Sequence, residues 1–261
     1  MRYFIIAGEQ SGDLHGSNLV RELFVADKSA EIFCWGGDLM ESEGATLLVH
    51  YRKMAFMGFV AVIKNLGTIS KNIILCKQHI TEYKPDLVIF IDYPGFNLRI
   101  AEFAKKGGYK TFYYISPKLW AWKESRVKKI KKYIDRMFII FPFEVDFYKK
   151  HGITVDYQGN PLVDETEKRI SSFSAKSSIC KYLGIEEKPV IAFLAGSRRH
   201  EIDLILPEMI KTVHHFPGYQ FVIAGVKNIP DELYLKIIGN APVKLIKEKT
   251  YEILYAAEAA L

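Results

Sequence analysis

The stretch "DLVIFIDYPGFN", residues 86–97, decides the fold. It runs almost wholly apolar up to Ile91, closes on Asp92, and is then turned away sharply by Pro94 and Gly95. A continuous apolar run, without strict alternation, marks a strand buried on both faces, as in a parallel sheet covered by helices. The flanks agree. LGTISKNIILCKQHITEYKP (66–85) has helical spacing and is stopped by Pro85, and FNLRIAEFAKKGG (96–108) reads as a helix closed by glycines.

The same alternation extends outward. RYFIIAG (2–8), EIFCWGG (31–37), KTFYYIS (110–116) and RMFIIFPF (136–143) read as strands, and LHGSNLVRELF (14–24) as a helix. Ligands of such sheets sit beyond the carboxyl ends of the strands. The loops after Gly8, Asp92, Ser116 and Phe143 are therefore expected to share one cleft. Near residue 160 the pattern changes. NPLVDETEKRISSFSAKSS (160–178) is polar and serine-rich and reads as a connection, with domains expected at 1–165 and 166–261. Strands resume at VIAFLAG (190–196), YQFVIAG (219–225) and VKLIKE (243–248), with a helix over about 201–215, and TYEILYAAEAAL (250–261) begins as another helix. A doubly wound domain normally takes ~100 residues or more, so the second is expected to be partial.

The 261 residues carry a formal charge of +6 and are 49% hydrophobic, a globular balance that favours anionic partners. Three separated cysteines, Cys34, Cys76 and Cys180, form no CxxC; they suggest reduced thiols in a cytoplasmic protein rather than disulfides or a zinc site. The opening MRYFIIAG is followed at once by Glu9 and Asp13 and reads as a first strand, not a signal peptide. No apolar run approaches the ~18–20 residues that span a bilayer.

AGEQSGDLHG (7–16) has glycines at 8, 12 and 16 and fits neither a dinucleotide nor a P-loop pattern. Glu9 and Asp13 would repel a phosphate at the helix start, so the turn suits sugar hydroxyls, with Glu9, Ser11, Asp13 and His15 as candidate contacts. A tight turn with dipole-favoured acids is the alternative. Asp92, at the end of a buried strand, is the candidate general base, because burial raises a carboxyl pKa; a capping role is the alternative. Asn97 follows in the same loop.

ISPKLWAWKESRVKKIKKYIDR (115–136) offers Ser116, Trp120 and Trp122 as substrate contacts. Its cations surround Val127, Ile130 and Ile134 at helical spacing, so a solvated basic helix face competes with nucleic-acid binding. Met54, Phe56, Met57, Phe59 and Val60, rimmed by Arg52, Lys53 and Lys64, suit acyl chains or a bilayer surface, with ordinary core as the alternative. In GSRRHEI (196–202) the backbone donors of Gly196 and Ser197 and the Arg198 fork form a candidate diphosphate site, with Glu201 beside it. A salt bridge between an arginine and Glu201 is the alternative. The seven histidines show no metal-ligand spacing.

In order, AGEQSGDLHG, MAFMGFVAVI, KPDLVIFIDYPGFN, YYISPKLWAWKESRVKKI, FPFEVDFYKKHGI, the following GNP and GSRRHEI resemble the motifs of lipid-A-disaccharide synthases over nearly the whole chain. The resemblance implies a GT-B type α/β fold of two Rossmann-like doubly wound domains, acceptor in the first and UDP-sugar in the second. It implies inverting transfer of 2,3-diacylglucosamine from UDP to the 6-hydroxyl of 2,3-diacylglucosamine 1-phosphate (lipid X), giving a β-1,6 disaccharide without a metal or other cofactor. Asp92 and Arg198 would be the catalytic pair. The partners would be the UDP-sugar, lipid X and the inner-membrane surface from the cytoplasmic side, with no nucleic acid; a homodimer is compatible with the sequence. Gly95 stands where the family often has a second acid, and Ala195 where it usually has proline. The family's further nucleotide segments have no match before Leu261. Two rival readings are a GT-B type nucleotide-sugar epimerase and a basic non-enzymatic module binding membrane or nucleic acid.

Overall fold

A computed structural model of the chain describes residues 1–54, 66–173 and 175–261. The chain divides into two compact units, Met1–Pro161 and Leu162–Leu261. In the first, β1 (Arg2–Ala7), β2 (Glu31–Gly36), β3 (Thr46–His50), β4 (Leu87–Ile91), β5 (Lys110–Tyr114), β6 (Arg136–Ile139) and β7 (Asp156–Tyr157) form one parallel sheet in the order β3-β2-β1-β4-β5-β6-β7. Helices α1 (Gln10–Ala26), α2 (Asp38–Ser42), α3 (Leu66–Tyr83), α4 (Pro94–Lys106), α5 (Val127–Tyr133) and α6 (Glu144–Lys150) connect the strands.

The apolar runs become strands because they are buried from both sides. Every residue of β4 is buried. Along β1 the side chains alternate as the pleat requires: Phe4 and Ile6 join a core with Val88, Phe90, Ile80 and Ile100, while Tyr3, Ile5 and Ala7 join another with Ile89, Ile91, Val20 and Met40. The strand order reverses between β1 and β4. The crevice beyond their carboxyl ends is the topological switch point, where ligands of open α/β sheets bind. Because the strands are parallel, the loops after β1, β4, β5 and β6 leave the sheet at that same edge.

The second unit holds α7 (Pro161–Ser171), which begins at the boundary, α8 (Lys176–Leu183), α9 (Arg199–Thr212), α10 (Asp231–Ile238) and α11 (Thr250–Ala256). Its parallel sheet runs β10-β9-β8-β11, with β8 (Val190–Phe193), β9 (Gln220–Gly225), β10 (Val243–Lys247) and β11 (Ala257–Ala260). The reversal lies between β8 and β11, so the loop carrying Gly196 and Arg198 leaves the sheet beside it. TYEILYAAEAAL begins as the expected helix, which runs to Ala256; the AEAA that follows, not foreseen as a strand, pairs with β8. The Leu194 amide donates to the Leu261 carbonyl at 2.8 Å and the Leu261 amide to the Ala192 carbonyl at 2.9 Å. Ladder pairing on β8 overrides alanine's helix preference.

Candidate functional site

The β1–α1 turn is shaped by contact. A Cβ on Gly8 would meet Tyr93 Cδ1 at 2.2 Å, so glycine lets the Tyr93 ring lie on the turn. The Tyr93 hydroxyl donates to the Met54 carbonyl at 2.8 Å. Glu9 is half-buried at the N-cap of α1, Ser11 is exposed and His15 is half-buried. Asp13 does not face the crevice as a sugar ligand. It is buried, its Oδ1 accepts from the amides of Gly37 (2.8 Å) and Met40 (3.1 Å), and its Oδ2 accepts from Leu39 (3.1 Å). These are otherwise unpaired donors at the start of α2, so the carboxylate serves as a cap from another helix. Met54 is also corrected: it is 2% exposed and belongs to the core rather than to an acyl-facing surface. Phe56, Met57, Phe59 and Val60 lie outside the described residues.

Asp92 stands at the switch point, half-buried, with φ +41°, and Tyr93 follows with φ +46°. Left-handed backbone is uncommon for residues other than glycine and persists where the surroundings fix it. Here the Asn97 Nδ2 amide donates to the carbonyls of Ile91 (3.1 Å) and Asp92 (2.7 Å), and the Tyr113 hydroxyl donates to the Asp92 carbonyl at 2.5 Å. Asn97, assigned from sequence to substrate, is fully buried and positions the turn instead. The Asp92 carboxyl is pushed above its usual range by burial, against the opposing charge of Lys118 and the Tyr93 amide.

On the next strand Ile115 leaves the sheet with φ +63°. Ser116, expected at the substrate, is buried and donates to Glu144 Oε1 at 2.8 Å. The Phe141 amide donates to Glu144 Oε2 at 3.2 Å, and the Tyr148 hydroxyl to the Pro117 carbonyl at 3.2 Å. Trp120 is 44% exposed, with its ring edge-on to Phe143 at 5.0 Å; Trp122 is 69% exposed beneath the Lys123 ammonium, 4.2 Å from its centroid. Both indoles are open to a ligand. Val127 and Ile130 are buried while the lysines of α5 face solvent, the amphipathic alternative for that segment.

In the second unit the turn after β8 is closed on itself. Gly196 has φ +101°, and a Cβ there would meet Glu201 Oε2 at 2.6 Å. That oxygen accepts from the amides of Ser197 (3.0 Å) and Arg198 (3.1 Å), and Oε1 accepts from Arg198 Nη1 at 2.8 Å. Burial acts to raise the Glu201 carboxyl, but these donors outweigh it and hold it below the usual range. The salt-bridge alternative is therefore the observed arrangement: Glu201 is a cap rather than a free ligand, and the Ser197 amide, expected to meet a diphosphate, meets it together with that of Arg198. The Arg198 side chain remains 45% exposed, and a guanidinium carries five donors. Arg199 points away to Asp203 at 3.7 Å.

Sequence reasoning missed Tyr113, Lys118, Glu144 and Tyr148. A tyrosine inside a buried strand must place its hydroxyl on a partner, and an acid between aromatics in FPFEVDF must be hydrogen-bonded if buried; those were the available signals. Among the described residues, no group of three or more His, Cys, Asp or Glu is placed to hold a metal.

The class follows from two parallel α/β units with polar clusters at their strand ends. The structure is similar to UDP-GlcNAc 2-epimerase from Neisseria meningitidis bound to UDP-GlcNAc (TM-score 0.69, 13% identity, 98% of this chain and 75% of that one). It is also similar to the Methanocaldococcus jannaschii UDP-GlcNAc 2-epimerase (TM-score 0.70, 12% identity, 100% and 78%). At that identity the likeness concerns the fold alone. A sequence model described as lipid-A-disaccharide synthetase matches residues 3–261. Lipid-A-disaccharide synthase of Geobacter metallireducens is 37% identical over 99% of this chain, and lipid-A-disaccharide synthase 1 of Legionella pneumophila 39% identical over 98%; the chain covers 68% of each. The chain belongs to the lipid-A-disaccharide synthase family, glycosyltransferases of lipid A biosynthesis.

Proposed function

We propose that this chain carries the acceptor side, and part of the donor side, of an inverting GT-B transferase joining UDP-2,3-diacylglucosamine to lipid X. Asp92 takes the proton of the acceptor 6-hydroxyl while its oxygen attacks the anomeric carbon. The bond to UDP breaks with its electron pair passing to the diphosphate, and Arg198 neutralises that charge. The observation that carries this reading is Asp92: a carboxyl raised by burial, fixed by Asn97 and Tyr113 at the switch-point crevice. A raised pKa suits a general base working near neutrality. Glu9, Ser11, His15, Trp120 and Trp122 are the remaining candidate acceptor contacts.

Among the described residues no helix is long and apolar enough to cross a membrane. We assign peripheral docking at the inner membrane to the Met/Phe-rich sequence 56–63 with Arg52, Lys53 and Lys64, which supplies apolar side chains and cations together. The deciding experiment is UDP release from UDP-2,3-diacylglucosamine and lipid X by a protein of the relatives' full length. Asp92→Asn should lower turnover by roughly 10²–10⁴ with the fold kept, and near-normal turnover would remove Asp92 from the role.

A further inference from the structure

We infer that Glu144 is a positioning residue for the transfer reaction: its buried carboxylate clasps Ser116 and so fixes the loop 115–120 beside Asp92. This rests on the general-base role proposed for Asp92. The register pairs Ile91 with Tyr114, so Asp92 and Ile115 leave adjacent strands at the same level, both through left-handed backbone, at φ +41° and +63°. For a β-branched residue that conformation is an outlier and needs the surroundings to impose it.

The imposing contacts all come from the β6–α6 region. Glu144 is fully buried and bridges the Ser116 hydroxyl (2.8 Å) to the Phe141 amide (3.2 Å). Tyr148, also fully buried, donates to the Pro117 carbonyl at 3.2 Å, and Leu119 is 2% exposed. Burial, and after it the Glu144 charge, push the Tyr148 phenol above its usual range. Among the described residues no cation lies within ion-pair distance of Glu144. A buried carboxylate without a cation is a costly way to fill space, which points to a task beyond packing.

That task is placement of Lys118. It is held between the clasped Ser116–Pro117 and the buried Leu119, and its charge opposes the effect of burial on Asp92. Among the described residues the other groups that meet Asp92 are the Tyr93 amide and, on its carbonyl, the Asn97 side-chain amide and the Tyr113 hydroxyl; the charge of Arg126 reaches Tyr113.

The test is a ¹³C NMR titration of the Asp92 carboxyl in this chain, the signal assigned by its loss in Asp92→Asn. Deleting a negative charge nearby would by itself ease ionisation and move the midpoint down. Release of the loop carries Lys118 away and moves it up. Glu144→Ala and Ser116→Ala are therefore expected to shift the midpoint upward, with Glu144→Gln, which keeps an acceptor for Ser116, restoring most of the original value. In a Lys118→Met background Glu144→Ala should add no upward shift. An unmoved or lowered midpoint in Ser116→Ala, or the same upward shift with and without Lys118, overturns the inference. Ser116→Ala removes a single hydroxyl and decides the matter if Glu144→Ala does not fold. The two readings fail separately: normal turnover by Asp92→Asn sinks the general base whatever the titration shows, and a silent titration sinks the clasp whatever Asp92 does.

Discussion

Asp92 is held where its charge is disfavoured, and two consequences follow from the sign of that effect. A carboxyl whose folded-state pKa is raised binds a proton more readily folded than unfolded. Its contribution to stability is therefore present at low pH and lost as pH rises through the folded value. At neutral pH the ionised group works against the fold, so Asp92→Asn should keep or raise Tm while turnover falls; a clear drop in Tm would mean the carboxylate is structural. In the wild type, the acidic limb of kcat/KM should lie above the ordinary aspartate value of about 3.9. Arg198 makes the complementary case. It already gives one side-chain N–H to Glu201, so in the role proposed for it a diphosphate would be met by its remaining donors. Arg198→Ala should cut turnover by about 10²–10³, lysine should restore only part, and Arg199→Ala should be mild because its partner is the exposed Asp203. Normal turnover in both Arg198→Ala and Arg199→Ala would leave the pairing with Glu201 as the only role of Arg198.

The elements were largely legible because both signals are local: apolar runs for the strands, and 3.6-residue spacing closed by Pro85 or Gly107 for the helices. β11 was not, because AEAA has helical preference and becomes a strand only through β8. Asp92 was legible as the acid ending β4. The capture of Arg198 by Glu201 was legible as the alternative reading of GSRRHEI, but the inward turn of Asp13 and the burial of Ser116 were not, since each partner lies in a different loop. The left-handed end of β4 gives the prediction at this scale. Tyr113→Phe deletes one of two donors to the Asp92 carbonyl, while Asn97 still holds it at 2.7 Å. A loss of about 0.5–1.5 kcal/mol is expected. Asn97→Ala should cost more, since it removes hydrogen bonds to two carbonyls, those of Ile91 and Asp92, although Tyr113 still donates to the latter. Chemical denaturation measures both, and a larger loss from Tyr113→Phe would reverse the assigned order.

Each unit carries cores of its own. Phe4, Phe90 and Tyr113 pack within Met1–Pro161, while Phe193, Phe221 and Tyr234 pack within Leu162–Leu261. Burial of apolar surface grows with size, so the shorter second unit should be the less stable of the two. Calorimetry should then resolve two transitions, and point changes assign them. Gly196→Ala forces a left-handed residue against the Glu201 carboxylate, at a cost above about 1 kcal/mol, and should lower only the first transition to melt. Gly8→Ala drives a Cβ into the Tyr93 ring and should lower only the second. A fragment ending at Pro161 should melt at the temperature of that second transition and keep the raised Asp92 titration, because Asn97, Tyr113, Lys118 and Glu144 all lie within it. One transition moved equally by both glycine substitutions would show that the units unfold as one, and the Asp92 site would then have to be understood in the whole chain.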